Sequence, residues 1–396
     1  MTKTGKLAAY LQFPFCESKC SFCNFSSRVG RPSEFPGYVK ALIREMSRLP
    51  DIYRRSGIPT DRLSLPVDTI YIGGGTPSLL GKDLMGQVVE SLRERLLLSA
   101  VEEFTLELTP GSADESYLLS VRRLGVNRLS IGAQAFSDRE LRAVGRLHSA
   151  QDTVAQVLMA RQAGFNNLSL DLIAGLPLQT EASWRETLEA AVRGAPEHIS
   201  IYLYELDENS RLGKEAIQGG SRYRAADLPT EEFSIWAYEF ARERLATVGY
   251  AQYEISNFAL SGFESRHNLK YWQLEPYLGF GAGAHSYDGA RRWSNCADVE
   301  TYARRLEDGE SPISEICSLS TSRQVEEFFF LGLRRREGVE LREANERWGE
   351  AQVKPWEATL NTLTAAGWLE WSGSRLRLAP RALLVSNEIF QQFIEV

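Results

Sequence analysis

Six short apolar runs recur along the first half of the chain, each followed by a stretch with helical spacing. The runs cover residues 8–13, 69–72, 104–108, 128–131, 168–173 and 199–204. Amphipathic patterns lie between them at residues 38–49, 83–97, 115–124, 150–163 and 183–193. A helix between two strands provides the crossover that parallel pairing requires, whereas antiparallel strands need only a tight turn. The alternation therefore predicts an α/β chain with a parallel sheet. Six units predict a partial (β/α)6 barrel, short of the closed eight-stranded form. In such barrels the chemistry gathers where the strands end. Cys16 follows the first run and Gly73-Gly74-Gly75 the second, Glu107 ends the third, Gln134 follows the fourth and Asp171 ends the fifth. That shared placement predicts one site at one mouth.

The texture changes further on. Residues 261–287 are rich in Gly, aromatic residues and His. Helical patterns return at residues 322–333, 342–348 and 355–366, then 368–371 and 375–378 flank Ser372-Gly373-Ser374 as a hairpin. Three helices and a hairpin predict a small winged-helix-like α+β domain at residues 301–396, after a barrel domain with an extension loop at residues 1–300. A nucleic-acid reading of that domain needs a basic stripe. The chain carries 45 Lys+Arg against 52 Asp+Glu, a net charge of −7, with no basic block. The domain is therefore read as a scaffold or lid, and nucleic acid is not an expected partner.

No apolar run reaches the ~18 residues of a membrane span. The opening residues 1–13 lack an apolar core with a small-residue cleavage site, so the expected address is cytoplasmic. Thiols there stay reduced. Three of the five cysteines crowd into residues 16–23, which suggests a metal site and not disulfides. Cys16, Cys20 and Cys23 on one loop can hold three irons of a cubic cluster and leave the fourth iron open, as catalytic sites do. A zinc site would need a fourth ligand that the local sequence does not supply. Cys296 and Cys317 stand alone and read as small buried hydrophobes.

The segment Gly73-Gly74-Gly75-Thr76-Pro77-Ser78 lets a ligand approach the backbone closely and frees N–H groups for it. Glu107 has apolar neighbours, so a role on a ribose hydroxyl or an ammonium is favoured over a solvated surface carboxylate. Gln134 lies near the mouth and Arg146 follows in the next loop. Asp171 is costly in so apolar a strand unless it serves a site or has an Arg partner.

The cysteine spacing, with Phe22 preceding the last cysteine, resembles the radical-SAM superfamily. The resemblance implies a [4Fe–4S] cluster whose open iron binds S-adenosylmethionine, and electron transfer that splits a C–S bond to give a 5′-deoxyadenosyl radical. Residues 73–78, 128–136, 171–180, 253–259 and 266–286 together resemble the oxygen-independent coproporphyrinogen III oxidase family, in particular its heme-chaperone (HemW) branch. By that resemblance Tyr10, Gly74, Gly75, Thr76, Glu107, Gln134, Arg146 and Asp171 occupy S-adenosylmethionine-binding positions. The oxidase branch carries a fourth cysteine two residues past the triplet, where this chain has Phe25, and an N-terminal extension for which there is no room before Tyr10. Both departures favour the chaperone branch.

His267-Asn268-Leu269-Lys270-Tyr271-Trp272 matches a motif associated with that branch and with heme. An imidazole ligates heme iron and aromatic faces suit a porphyrin. The alternative is that His267 and Trp272 pin a loop onto the barrel. If the segment is helical, His267 and Tyr271 share a face, expected near the open mouth. His285 is a second candidate ligand, while His148 and His198 read as structural. The expected cofactors are thus the cluster, S-adenosylmethionine and heme. The expected partners are heme-accepting proteins, membrane-associated respiratory proteins among them, and a second copy of the chain. The competing readings are the oxidase and a radical-SAM enzyme that acts on heme itself.

Overall fold

The structure is a computed structural model that describes residues 5–394. The reading of residues 1–13 as leaderless rests partly on residues 1–4, which lie outside the described residues. All six predicted strands are present: β1 (Leu7–Phe13), β2 (Val67–Gly74), β3 (Glu103–Leu108), β4 (Arg128–Gln134), β5 (Leu168–Ala174) and β6 (His198–Leu203). Each pairs in parallel with the next. A seventh parallel strand, β7 (Tyr277–Phe280), joins the free side of β1. Antiparallel strands extend both edges. His285–Tyr287, Arg291–Asn295 and Ile313–Ser318 continue outward from β7, and Asn257–Ala259 and Ala251–Gln252 continue from β6. β1 and β6 never meet, so the barrel stays open.

β1 and β5 are buried at every position but one, the near-continuous apolar signature of a parallel strand covered on both faces. The helices Phe35–Ser47, Gly81–Arg95, Glu115–Arg123, Ala150–Gln162 and Glu181–Arg193 cover the outside. Three of them start where the sequence supplies a cap: the Asp114, Ser149 and Thr180 side chains accept from the backbone N–H three residues on.

The large sheet runs past the expected break at residue 300. Helix Val299–Glu307 lays the Tyr302 ring 5.7 Å from that of Tyr38, and Ile313–Ser318 is the outermost strand on that side. Beyond it, helices Thr321–Gly332, Leu341–Trp348 and Glu357–Ala365 pack on a three-stranded sheet of Val339–Glu340, Arg375–Leu378 and Leu369–Ser372. Gly373, with φ +61°, makes the turn of the predicted hairpin. This second core, around Phe329, Leu376 and Phe393, is continuous with Tyr238, Leu274, Tyr277 and Tyr287 of the barrel, so the two units share apolar contacts. Among the described residues no helix is long and apolar enough to cross a membrane.

Candidate functional site

The strands β1 to β6 end around a cavity of about 1120 Å³. Cys16, Cys20, Phe22, Cys23, Gly74, Gly75, Thr76, Glu107, Gln134, Arg146 and Asp171 all line it, so the single predicted mouth gathers eleven of the fifteen predicted residues.

The cysteine loop is rigid by construction. Phe15–Cys16 pairs in parallel with Arg28–Val29, which closes the base of the loop. Inside it the Lys19 ammonium donates to the Phe25 carbonyl at 2.7 Å and to the Ser27 carbonyl and hydroxyl, each at 2.9 Å. All three thiols are free. Burial pushes the Cys16 thiol above its ordinary pKa, which favours the protonated thiol until a cation arrives to hold the thiolate. Among the described residues no three His, Cys, Asp or Glu side chains gather closely enough for one metal ion. A cubic cluster takes each thiolate at a different corner, so three separated thiols on one rigid loop fit it where they do not fit zinc. Of the remaining thiols, Cys296 is buried as expected, but Cys317 is exposed on the edge strand.

The glycine loop differs from the expectation in one respect. Its N–H groups are already used: Gly74 donates to Glu107 Oε2 at 2.9 Å, Gly75 to the Phe13 carbonyl at 2.7 Å and Thr76 to the Phe15 carbonyl at 2.8 Å. These bonds lace the loop to β3 and to the strand that leads into Cys16. What glycine supplies is the missing side chain. Gly74 has φ +110°, and a Cβ on Gly75 would lie 2.3 Å from the Phe15 carbonyl oxygen.

Glu107 also accepts from the Tyr71 hydroxyl at 2.7 Å, and burial raises its carboxyl pKa to about 7. Gln134 sits at φ +65° beside a break in the β4–β5 register, a conformation a non-glycine residue adopts only when its surroundings impose it. Burial raises Asp171 too. It is satisfied by the hydroxyls of Ser130 at 3.0 Å and Ser169 at 3.3 Å, with Arg128 only a longer-range influence, so no direct Arg pair forms. The Arg146 guanidinium donates to the Gly132 carbonyl at 2.8 Å, to His148 Nδ1 at 3.3 Å and to the Cys20 sulfur at 3.6 Å.

Four predicted residues lie elsewhere. Tyr10 points into the barrel below the cavity, where its hydroxyl donates to Gln12 at 2.5 Å and its ring stacks 6.0 Å from Tyr71. His267 is helical, as expected, on Arg266–Trp272, but that helix closes the opposite end of the barrel. Its backbone N–H meets Glu103, the first residue of β3. The ring is fully buried, with Nδ1 3.0 Å from the Thr69 hydroxyl and Nε2 2.9 Å from the Tyr271 hydroxyl. Both nitrogens are engaged and burial lowers the pKa to about 3, so the ring as placed offers no free nitrogen to a ligand. The expectation that this segment reaches the open mouth is therefore corrected: it is a plug. Tyr271 belongs to the plug, and Trp272 lies under the Arg334 guanidinium at 4.4 Å. His285 is exposed on an outer strand, away from the cavity lining.

Two residues that sequence reasoning passed over belong to the site. Tyr71 alternates with Thr69 and Gly73 on the inward face of β2, a period-two signal that was available. His148 was read as structural, yet it lines the cavity and holds Arg146.

The radical SAM superfamily profile matches residues 10–191, and that of the HemN C-terminal domain matches residues 319–385. The heme chaperone HemW of Bacillus subtilis is 34% identical over 388 residues, 98% of this chain and 99% of its own length. The chain belongs to the HemW family of radical SAM proteins. HemW of Lactococcus lactis is 30% identical across 98% of this chain and 97% of its own. Among solved structures, the radical SAM enzyme coproporphyrinogen III oxidase (HemN) of Escherichia coli superimposes with a TM-score of 0.84 over 98% of this chain and 90% of its own, at 22% identity, which shows a common fold. Membership of the radical SAM family implies a [4Fe–4S] cluster and S-adenosylmethionine as the cofactors of HemW proteins and of this chain.

Proposed function

We propose that this chain is a heme chaperone, which binds heme at the cavity mouth and passes it to acceptor proteins, membrane-associated respiratory proteins among them. The observation that carries the reading is the cavity itself. At about 1120 Å³ it exceeds the ~300–1,000 Å³ of a site for one small ligand. Phe25, Leu147 and Leu206 are lining residues exposed by 66%, 66% and 58%, apolar surface that a flat macrocycle would cover. The full-length similarity to two bacterial heme chaperones supports the same reading.

In this proposal Cys16, Cys20 and Cys23 hold the cluster. Gly74, Gly75 and Thr76 form a floor for S-adenosylmethionine, held close against Gln12 and Phe15 because the glycines carry no side chain. Glu107, Gln134, Arg146 and Asp171 supply polar contacts around it, and Phe22 packs beside the cysteines. When bound, the cluster can supply the electron that splits a C–S bond of S-adenosylmethionine. The protein's own work is to hold both groups in a recess with preset hydrogen-bond partners. The plug residues His267, Tyr271 and Trp272 shape the barrel beneath without touching heme.

Heme titrated into the anaerobically reconstituted chain should shift the Soret band and saturate. His267→Ala should bind with the same spectrum, whereas His285→Ala tests the remaining exposed imidazole as axial ligand. A titration without saturation would refute the chaperone reading, and loss of the spectrum in folded His267→Ala would return the heme to the plug.

A further inference from the structure

The Arg146 guanidinium is held on three sides. Nη2 donates to the Gly132 carbonyl at 2.8 Å, Nε donates to His148 Nδ1 at 3.3 Å, and Nη1 is left aimed at the Cys20 sulfur at 3.6 Å. His148 is itself fixed. It is buried, and its Nε2 lies 3.1 Å from the Ala133 carbonyl, which can only accept. Nε2 must therefore carry the proton, so Nδ1 is the lone-pair nitrogen that an arginine N–H needs. The contacts link Ala133, His148, Arg146 and Cys20: Arg146 donates both to His148 and to Cys20, and His148 donates on to Ala133.

A sulfur that ligates an iron–sulfur cluster gains negative charge when the cluster is reduced. A donor aimed at that sulfur, and carrying a full positive charge, stabilises the reduced form more than the oxidised one. We infer that Arg146 sets the electron affinity of the cluster through the sulfur of Cys20, and that His148 is the positioning residue that aims it. This rests on the reading that Cys20 is a cluster ligand. The role is separate from any contact of Arg146 with S-adenosylmethionine, because the guanidinium is on the sulfur without that ligand.

The test is an EPR-monitored redox titration of the reconstituted full-length chain, without S-adenosylmethionine. Arg146→Gln removes the charge and the fork, and should lower the reduction potential. Arg146→Lys keeps the charge but cannot span Gly132 and Cys20 together, and should also fall below the wild type. His148→Ala leaves Arg146 in place but unaimed and should lower the potential, while His148→Gln, whose amide can still accept and donate, should recover part of the shift. A structural role alone would change cluster content and unfolding temperature without ordering the potentials in this way. Equal potentials in wild type, Arg146→Gln and Arg146→Lys would overturn the inference. A fall in both arginine variants with none in His148→Ala would overturn the positioning role. A wild-type chain that takes up no cluster is a different result: it removes the cluster reading, and this inference with it.

Discussion

The two ends of the barrel use the same kinds of side chain and arrive at opposite states. At the mouth, Glu107, Asp171, Arg146 and three thiols face about 1120 Å³ of open space, and Gln134 is held at φ +65°. From Tyr71, which lines the mouth, a column of rings runs to the far end through His267 and Tyr271 with centroids 5.2 Å apart at each step, and both nitrogens of His267 are satisfied inside the protein. Chemistry-bearing residue types alone do not make a site. What separates His267 from the residues at the mouth is that both of its nitrogens are already used inside the protein.

The largest expected effect is at the mouth. Cys20→Ser should remove the reconstituted cluster, with the broad visible absorption and the bound iron and sulfide lost together while the chain stays folded. Unchanged iron and sulfide would mean that the triplet is not the ligand set. Gly75→Ala should act nearly as severely, because its Cβ must displace the Phe15 carbonyl 2.3 Å away and with it the strand into Cys16. S-adenosylmethionine affinity by calorimetry should fall by more than tenfold. Gly86→Ala, with nothing within 4 Å of its Cβ, should leave affinity alone and gain roughly 0.5 kcal/mol of stability.

At the plug the currency is stability. His267→Ala leaves a cavity and two unpaired hydroxyl partners, and should cost about 3 kcal/mol in denaturant unfolding with cluster and ligand affinities preserved. A loss of ligand binding without loss of stability would reverse the assignment of the two ends.

The pH response should carry opposite signs. Glu107 is raised to about 7 from an ordinary 4.5, so its stabilising contribution is complete below pH 4.5 and is lost as pH rises to 7. His267 is lowered to about 3 from 6.5, so its contribution is complete above pH 6.5 and is lost as pH falls toward 3. Between pH 4.5 and 6.5, Glu107→Gln should make stability climb more steeply with pH than in the wild type, and His267→Asn less steeply, each by about 2 kcal/mol across the window. Slopes altered in the same direction would show that the two environments are not opposed. The smallest effect expected is none: Phe25→Cys should not produce coproporphyrinogen III decarboxylation, assayed as protoporphyrinogen formed.

Much of the mouth was legible because its signals are local. Three cysteines within eight residues and a glycine run after an apolar strand declare themselves by spacing. The six strands were legible because parallel strands buried on both faces read as apolar runs. The strand β7, Tyr-Leu-Gly-Phe, was not, since a glycine interrupts it and its burial comes from pairing with β1. Nor was Ile313–Ser318, an edge strand with almost no buried face. His267 shows the limit most clearly. Its helix and its shared face with Tyr271 followed from the motif, but which end of the barrel it closes depends on Thr69 and Glu103, about 200 and 160 residues away in the chain.

The contrast between the ends is tested most directly by hydrogen–deuterium exchange of the reconstituted chain with and without S-adenosylmethionine and heme. The account predicts new protection at residues 16–25, 73–76 and 132–134, and unchanged, already slow exchange at residues 266–272. Ligand-dependent protection at residues 266–272, with none at the mouth, would contradict it.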